Sequence, residues 1–270
     1  MILDFIRWNF DPKVFPNTSI HIVWYGVLFA LGIYFCYLTL GYTFKKENIG
    51  QKTLDQTSLW LLLALVIGAR LGHCIFYEPA YYFSNPLRIL KIWEGGLASH
   101  GAAIALPVTV VLLAKKYKFN PIWYLDRLVI GVAIAGAMIR LGNFCNSEIY
   151  GIQTSLPWGV IFERNGEVVP KHPTQLYEAL SCIITFLVLL LIYNKKKEKT
   201  PNGLLFGLFL VMIFGFRFFV EYIKNPQVDF ERGMMLDMGQ ILSLPFILLG
   251  LFFWIRSYIL EAKKRKTTSY

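Results

Sequence analysis

Charge is what this sequence has least of. Only 16% of its 270 residues are Asp, Glu, Lys or Arg, where a soluble domain carries about 25%. With 56% hydrophobic residues and a mean hydropathy of +0.49, that shortfall excludes an ordinary soluble domain. Cysteine is also sparse. Cys36, Cys74, Cys145 and Cys182 stand alone with no CxxC, so neither a disulfide framework nor a zinc ribbon is read. His21, His73, His100 and His172 form no HExxH, which removes support for an intramembrane zinc site. A phosphate-cradling Gly-rich loop, a Ser–His–Asp set and an Asp pair are all lacking, and no cofactor or metal is expected. The first 19 residues hold Asp4, Arg7, Asp11 and Lys13 but no long apolar core, so no cleavable signal peptide is expected there. Trp8, Phe10 and Phe15 suit a segment lying flat at a membrane surface.

What is abundant is apolar sequence in runs of the length, about 20 residues, that crosses a hydrocarbon core. Seven are read: 20–43, 57–77, 95–114, 121–141, 175–194, 203–223 and 238–259, the third interrupted by Pro107. The predicted fold is an all-α polytopic membrane protein of seven transmembrane helices, one integral domain over residues 1–270. The net charge of +10 could point to nucleic acid, but its placement does not. Lys45, Lys46 and Lys52 follow the first run, Lys115, Lys116 and Lys118 the third, and Lys195, Lys196, Lys197 and Lys199 the fifth. Arg256, Lys263, Lys264, Arg265 and Lys266 close the seventh. That face collects fifteen cations; the other holds eight, including Arg88, Lys171, Lys224 and Arg232. Cationic loops stay in the cytoplasm, so the N-terminus is expected outside and the C-terminus inside. The terminal KKRK serves as a topology signal or as an attractor of anionic lipid.

Polar residues within the runs gather towards the outer face. Their outer ends carry Arg70 and Glu78, Arg140 and Glu148, Arg217 and Glu221, with Tyr25 in WYG, His100 in ASHG, His172, Gln175 and Glu178 in HPTQLYE, and Asp237 and Gln240 in DMGQ. Asp126–Arg127 is the exception, read as an interfacial pair. The densest group is RLGNFCNSEIYG, residues 140–151. A charge deep in a bilayer costs roughly 2.5–3.5 kcal/mol on insertion scales and marks function more often than not. Arginine matches phosphate bidentately; Asn143, Asn146 and Glu148 suit orienting it or bonding a polyol; an imidazole exchanges a proton near neutral pH. Cys145 is read as a small apolar residue. The other reading of the cluster is interhelical pairs that hold a bundle together. A secondary transporter would place such charges near the midplane on broken helices, and a lipid scaffold would tolerate their loss. Residues 142–174 are too polar to span and are expected to form a small extracytoplasmic cap, with a β-hairpin turning at Asn165–Gly166. The stretch 78–94, rich in aromatics, is expected along the membrane surface. RLGHCIFYE (70–78) and RLGNFCNSE (140–148) share four residues at identical offsets, too few to argue a repeat.

The motifs are similar to those of the bacterial phosphatidylglycerol–prolipoprotein diacylglyceryl transferases. RLGNFCNSEIYG resembles that family's principal motif. HPTQLYE (172–178), FRFFVEY (216–222), DMGQILSLP (237–245), WYG (24–26), GARLG (68–72) and GGLASHG (95–101) match others, with Ala102 where many members have a second Gly. The resemblance implies transfer of diacylglyceryl from phosphatidylglycerol to the lipobox cysteine of a preprolipoprotein, forming a thioether and releasing glycerol-1-phosphate. It implies a multi-pass protein of the bacterial cytoplasmic (inner) membrane, acting at the outer leaflet on a lipid and a lipobox peptide, not on nucleic acid. On that resemblance Arg140, Arg217 and His100 are the catalytic candidates. Arg140, Tyr25, Asn143, Asn146, Glu148 and Gly151 bind substrate, with Tyr25 bonding either phosphate or His100. Arg70, His172, Gln175, Glu178 and Glu221 support them. His100 is either the base that activates the thiol or a hydrogen-bonded structural group, and Gly142 and Gly151 permit close approach and a turn.

Overall fold

The computed structural model describes residues 5–18, 21–92, 95–225 and 235–268, the side chains of 99–100 and 264–268 apart. The side chain of His100, the residue Arg232 and the side chains of Lys264, Arg265 and Lys266 therefore lie outside the described residues. The described chain is mostly helical: α1 (Trp24–Lys46), α2 (Gln51–Phe76), α3 (Pro79–Ser84), α4 (Ser99–Tyr117), α5 (Pro121–Cys145), α6 (Thr174–Lys196), α7 (Leu204–Val220) and α8 (Met238–Thr268). Six of them, α1, α2, α5, α6, α7 and α8, are long and apolar enough to cross a membrane. Only 22–39% of their most apolar windows is buried within the protein. Leu59, Ile67, Leu248 and Phe252 are all exposed, and an apolar exterior on this scale needs a lipid solvent. A helix satisfies every backbone group internally, which is why apolar sequence in lipid takes this form. Pro107 and Pro245 sit inside α4 and α8 without ending either.

The chain divides into two compact units. In the unit Met1–Leu40 with Asp126–Tyr270, α7 lies on α8 with Gly207 against the Gly250 carbonyl. A Cβ at Gly207 would come 2.7 Å from that oxygen, so the approach requires glycine. Val129, Ile130, Leu189, Tyr193 and Leu205 join α5, α6 and α7 in one buried cluster. At the start of α7, Asp126 accepts from the backbone N–H groups of Gly203 (2.7 Å) and Phe206 (2.8 Å). This carboxylate supplies the cap that α7's own sequence lacks. It is a second function for the Asp126–Arg127 pair, both of whose residues are fully buried.

The same unit holds a two-stranded parallel sheet. β1 (Ile6–Trp8) pairs with β2 (Val160–Phe162) in the register Ile6↔Val160, Arg7↔Ile161 and Trp8↔Phe162. Trp8 donates its indole N–H to the Phe144 carbonyl (3.2 Å), and its ring lies 4.4 Å from that of Phe144. The N-terminal segment expected to lie flat on a membrane is therefore pinned in part to the end of α5. After β2 the chain turns through a 3₁₀ step, Glu163–Asn165, with Gly166 at φ +73°. It meets β2 again through one antiparallel bridge, Val160↔Lys171.

In the unit Gly41–Leu125, α2 and α4 cross where Gly68 and Gly72 face Gly101. A Cβ at Gly72 would lie 2.6 Å from the Gly101 Cα. Small residues four apart let the two backbones touch, a packing that suits helices in lipid.

Candidate functional site

The stretch RLGNFCNSEIYG straddles the end of a helix. Arg140 and Asn143 lie in the last turns of α5; Asn146 to Gly151 form the turn beyond. That turn carries two non-glycine residues in the left-handed region, Ser147 at φ +56° and Ile149 at φ +61°. For a β-branched residue this is strained and persists only where the surroundings over-determine it. Here they do, because three successive carbonyls are each held by a side chain. Asn165 Nδ2 donates to Ser147 O (2.6 Å), Gln175 Nε2 to Glu148 O, and Thr174 Oγ1 to Ile149 O (2.8 Å). Gln175 and Thr174 come from the first turn of α6, so HPTQLYE serves as the scaffold of this turn. Gly151 ends it as a crossing point of backbones. Its N–H donates to His172 O (2.8 Å), it bridges Lys224, and a Cβ would run into the Ile223 carbonyl.

The turn fixes a chain of polar contacts. Asn143 Nδ2 (2.8 Å) and Asn146 Nδ2 (3.3 Å) both donate to Glu148 Oε1. Asn143 Oδ1 accepts from Arg140 Nη1 at 3.5 Å. Arg140 Nε faces Glu178 Oε2 at 3.3 Å, an ion pair without hydrogen-bond alignment, since that oxygen has no hydrogen-bond partner among the described residues. Arginine carries five N–H donors. Nη2 of Arg140 has no partner among the described residues, so part of a planar fork stays available to an anion. Tyr25 packs its ring on Gly142, within electrostatic range of both Glu148 and Arg140.

Glu178 is shared. Its Oε1 lies 2.9 Å from Lys224 Nζ, and the same ammonium lies 3.2 Å from Glu221 Oε2. Lys224, Glu178 and Glu221 are all buried. Gly239 of α8 closes over the Glu221 carboxylate so tightly that a Cβ would clash with it. Sequence reading counted Lys224 as a loop cation and missed it. The signal was its spacing: Arg217, Glu221 and Lys224 stand at i, i+4 and i+7, one helical face. Arg217 lies in the last turn of α7 with its Nε buried and without a hydrogen-bond partner, and it makes no ion pair among the described residues.

Other expected members have other partners. Gln240 donates to Phe218 O (3.2 Å) and accepts from the N–H of Asp237 (3.0 Å), so DMGQ caps α8 and ties it to α7. His172 contacts the Tyr177 hydroxyl through Nδ1 (3.2 Å), and burial lowers its pKa. Tyr150 donates to Glu167 (2.8 Å), and burial raises its pKa. In the other unit, Arg70 is buried and gives all its hydrogen bonds among the described residues to backbone. It donates through Nε to Ile89 O (2.9 Å), through Nη1 to Gly95 O and Gly96 O (3.2 Å), and through Nη2 to Arg88 O (2.6 Å), with its guanidinium over the Tyr82 ring. It anchors Arg88, Ile89, Gly95 and Gly96. His100 belongs to the first turn of α4.

An arginine held by a carboxylate and a carboxamide, with free N–H groups and a fixed polar turn beside it, suits an anionic head group. Known proteins agree in kind. A family model described as prolipoprotein diacylglyceryl transferase matches residues 12–256. A phosphatidylglycerol–prolipoprotein diacylglyceryl transferase from Tolumonas auensis is 44% identical over 245 residues, covering 90% of this chain and 94% of the relative. Proteins of the same name from Porphyromonas gingivalis and Bacteroides fragilis are 42% and 40% identical, covering 94% and 92% of this chain and 95% and 94% of their own lengths. With that coverage from end to end, the chain belongs to the prolipoprotein diacylglyceryl transferase family.

Proposed function

We propose that this protein transfers the diacylglyceryl group of phosphatidylglycerol to the lipobox cysteine of preprolipoproteins, the first step of bacterial lipoprotein maturation. The thiol sulfur attacks the glyceryl carbon, and a thioether C–S bond forms. The C–O bond to phosphate breaks, and its electron pair leaves on glycerol-1-phosphate. A free thiol has a pKa of about 8.5, so the reaction needs a base or a positive field to supply thiolate. Charge gathers on the departing phosphate, where fixed cations lower the barrier.

The observation that carries this reading is Arg140, oriented by Glu178 and Asn143 with donors to spare. It binds the lipid phosphate. Arg217, a half-buried cation without an ion pair among the described residues, adds positive field. Asn143, Asn146 and Glu148 act as one hydrogen-bonded unit that receives the glycerol head group, with Tyr25 beside it. Gly151, Gln175 and His172 hold that unit's backbone, and Glu178 and Glu221 set the cations. Arg70 acts in a supporting role through the backbone it anchors. His100 is the candidate base by family resemblance. The architecture is seven spans, with α4 the seventh, N-terminus outside and C-terminus inside the bacterial cytoplasmic membrane. Residues 142–174 form an extracytoplasmic cap with a hairpin-like turn at Gly166, and the site faces the outer leaflet.

The test mixes purified protein with glycerol-labelled phosphatidylglycerol and a lipobox peptide. Label is expected on the peptide. Folded, lipid-binding wild type that transfers nothing would refute the reading. Full activity of His100→Asn at neutral pH would remove His100 as base.

A further inference from the structure

A polar cavity of about 460 Å³ opens beside the strained turn, lined among others by Asn146, Ser147, Glu148, Tyr150, Asn165 and Asn225. It belongs to loops alone: the turn after α5, the step after β2 and the exit from α7. Its chemistry is one-sided. Three carboxamides face it, while no Lys or Arg lines it among the described residues. Phosphate meets no cation there among the described residues, whereas Arg140 offers one. Several of the cavity's polar groups are idle. The Ser147 hydroxyl is buried, only 1% of the residue being exposed, and has no hydrogen-bond partner among the described residues. The Asn225 carboxamide makes no hydrogen bond among the described residues, although its backbone N–H reaches Tyr150 O at 3.5 Å. A buried hydroxyl without a partner is destabilising, and a ligand that reached it with a small shift of the turn would satisfy it.

The geometry points to the Ser147, Asn165 and Asn225 part of this cavity as the binding site for the main chain of the acceptor polypeptide, in extended form, just beyond its cysteine, with the Asn146–Glu148 unit left to the glycerol head group. This rests on the transferase reading above. A carboxamide offers one acceptor and two donors, the complement of alternating backbone C=O and N–H groups. The size agrees: clefts of about 300–1,000 Å³ hold ligands much larger than glycerol, and a three-carbon polyol would leave most of this one to water. Of the two substrates, only the acceptor has a chain that must continue past the reacting atom and out of the bilayer. The lipid's acyl chains must stay in it. Main-chain recognition also suits an enzyme whose acceptors share a cysteine but differ in the residues after it.

Two variants test the site with little cost to the fold: Asn225→Leu removes a carboxamide, and Ser147→Ala a hydroxyl, that make no hydrogen bond among the described residues. Binding of a fluorescent lipobox peptide with Ser in place of Cys would be read by anisotropy in nanodiscs, and KM values for peptide and for phosphatidylglycerol by transfer. Each variant should weaken peptide binding and raise peptide KM about fivefold per lost hydrogen bond, leaving KM for phosphatidylglycerol in place. Peptides N-methylated at the amide after the cysteine should lose affinity for wild type but lose little more for Asn225→Leu. A rise in phosphatidylglycerol KM instead would assign the cavity to glycerol and overturn the proposal, as would variants that bind peptide like wild type. If wild type binds peptide through these residues but transfers nothing, the transferase reading fails while the peptide site stands.

Discussion

Replacing Lys224 by Met would expose how the cluster's charge is balanced. Lys224 is only 6% exposed and its ammonium serves two buried carboxylates, at 2.9 Å and 3.2 Å. Removing one member of a buried ion pair costs about 3–5 kcal/mol, because the partner is left charged and dry. The two carboxylates are not equally exposed to that loss. Glu178 keeps Arg140 at 3.3 Å, whereas Glu221 has no other ion pair among the described residues and is closed in by Gly239. The expected loss therefore sits at the low end, about 3 kcal/mol, roughly a hundredfold in the unfolding equilibrium. Glu221→Gln in the same chain removes the orphaned charge, so the double variant should recover about 2 kcal/mol of it. Lys224→Arg keeps the charge and should lose less than Met. Function obeys the same logic. Without Lys224, Glu178 gives its full charge to Arg140 and competes with phosphate. KM for phosphatidylglycerol should then rise more than kcat falls. Unfolding in detergent and transfer kinetics would be measured on all four proteins. Wild-type stability and KM in Lys224→Met, or a double variant worse than the single, would refute the reasoning.

Other positions give separate tests. Arg70→Met should leave the carbonyls of Ile89, Gly95, Gly96 and Arg88 without their donor. With these four bonds lost together, proteolysis should open the 86–92 segment first; an equally resistant variant would contradict this. Gly151→Ala places a methyl on the Ile223 carbonyl, and should abolish transfer while Gly166→Ala, in open space, only strains its turn. Equal activity in both would show that the crossing at Gly151 is slack. Burial holds His172 below the ordinary imidazole pKa of about 6.5. The unfolded chain then binds the proton more readily, so this contribution to stability is intact above that value and lost as pH falls through the lowered one. Wild type should lose stability as pH falls below about 6.5 more steeply than His172→Gln; parallel curves would rule His172 out.

The membrane helices were legible because lipid leaves a chain few options. A run of about 20 apolar residues must become a helix, and the starts and ends of α5, α6 and α7 fall within a few residues of the reading. The core of the polar cluster was legible too, since Asn143, Asn146 and Glu148 are close in sequence and meet in space. What escaped reading depends on contacts between distant segments. β1 is three residues long and exists only because β2 receives it. Lys224 looks like a loop cation until α6 supplies Glu178. The paired motifs show the limit best. Arg70 and Arg140 share the same flanking letters, yet one spends its donors on backbone carbonyls and the other faces a carboxylate and an asparagine. The letters fix the charge; the neighbouring segment decides its use.

The most direct measurement tracks label from phosphatidylglycerol to a lipobox peptide in nanodiscs, for wild type, Arg140→Ala and Arg140→Lys. Arginine's planar fork is the property at stake. Wild type should transfer the diacylglyceryl group, Arg140→Ala should not, and Arg140→Lys should retain at most a small fraction. Undiminished transfer by folded Arg140→Ala would contradict the account.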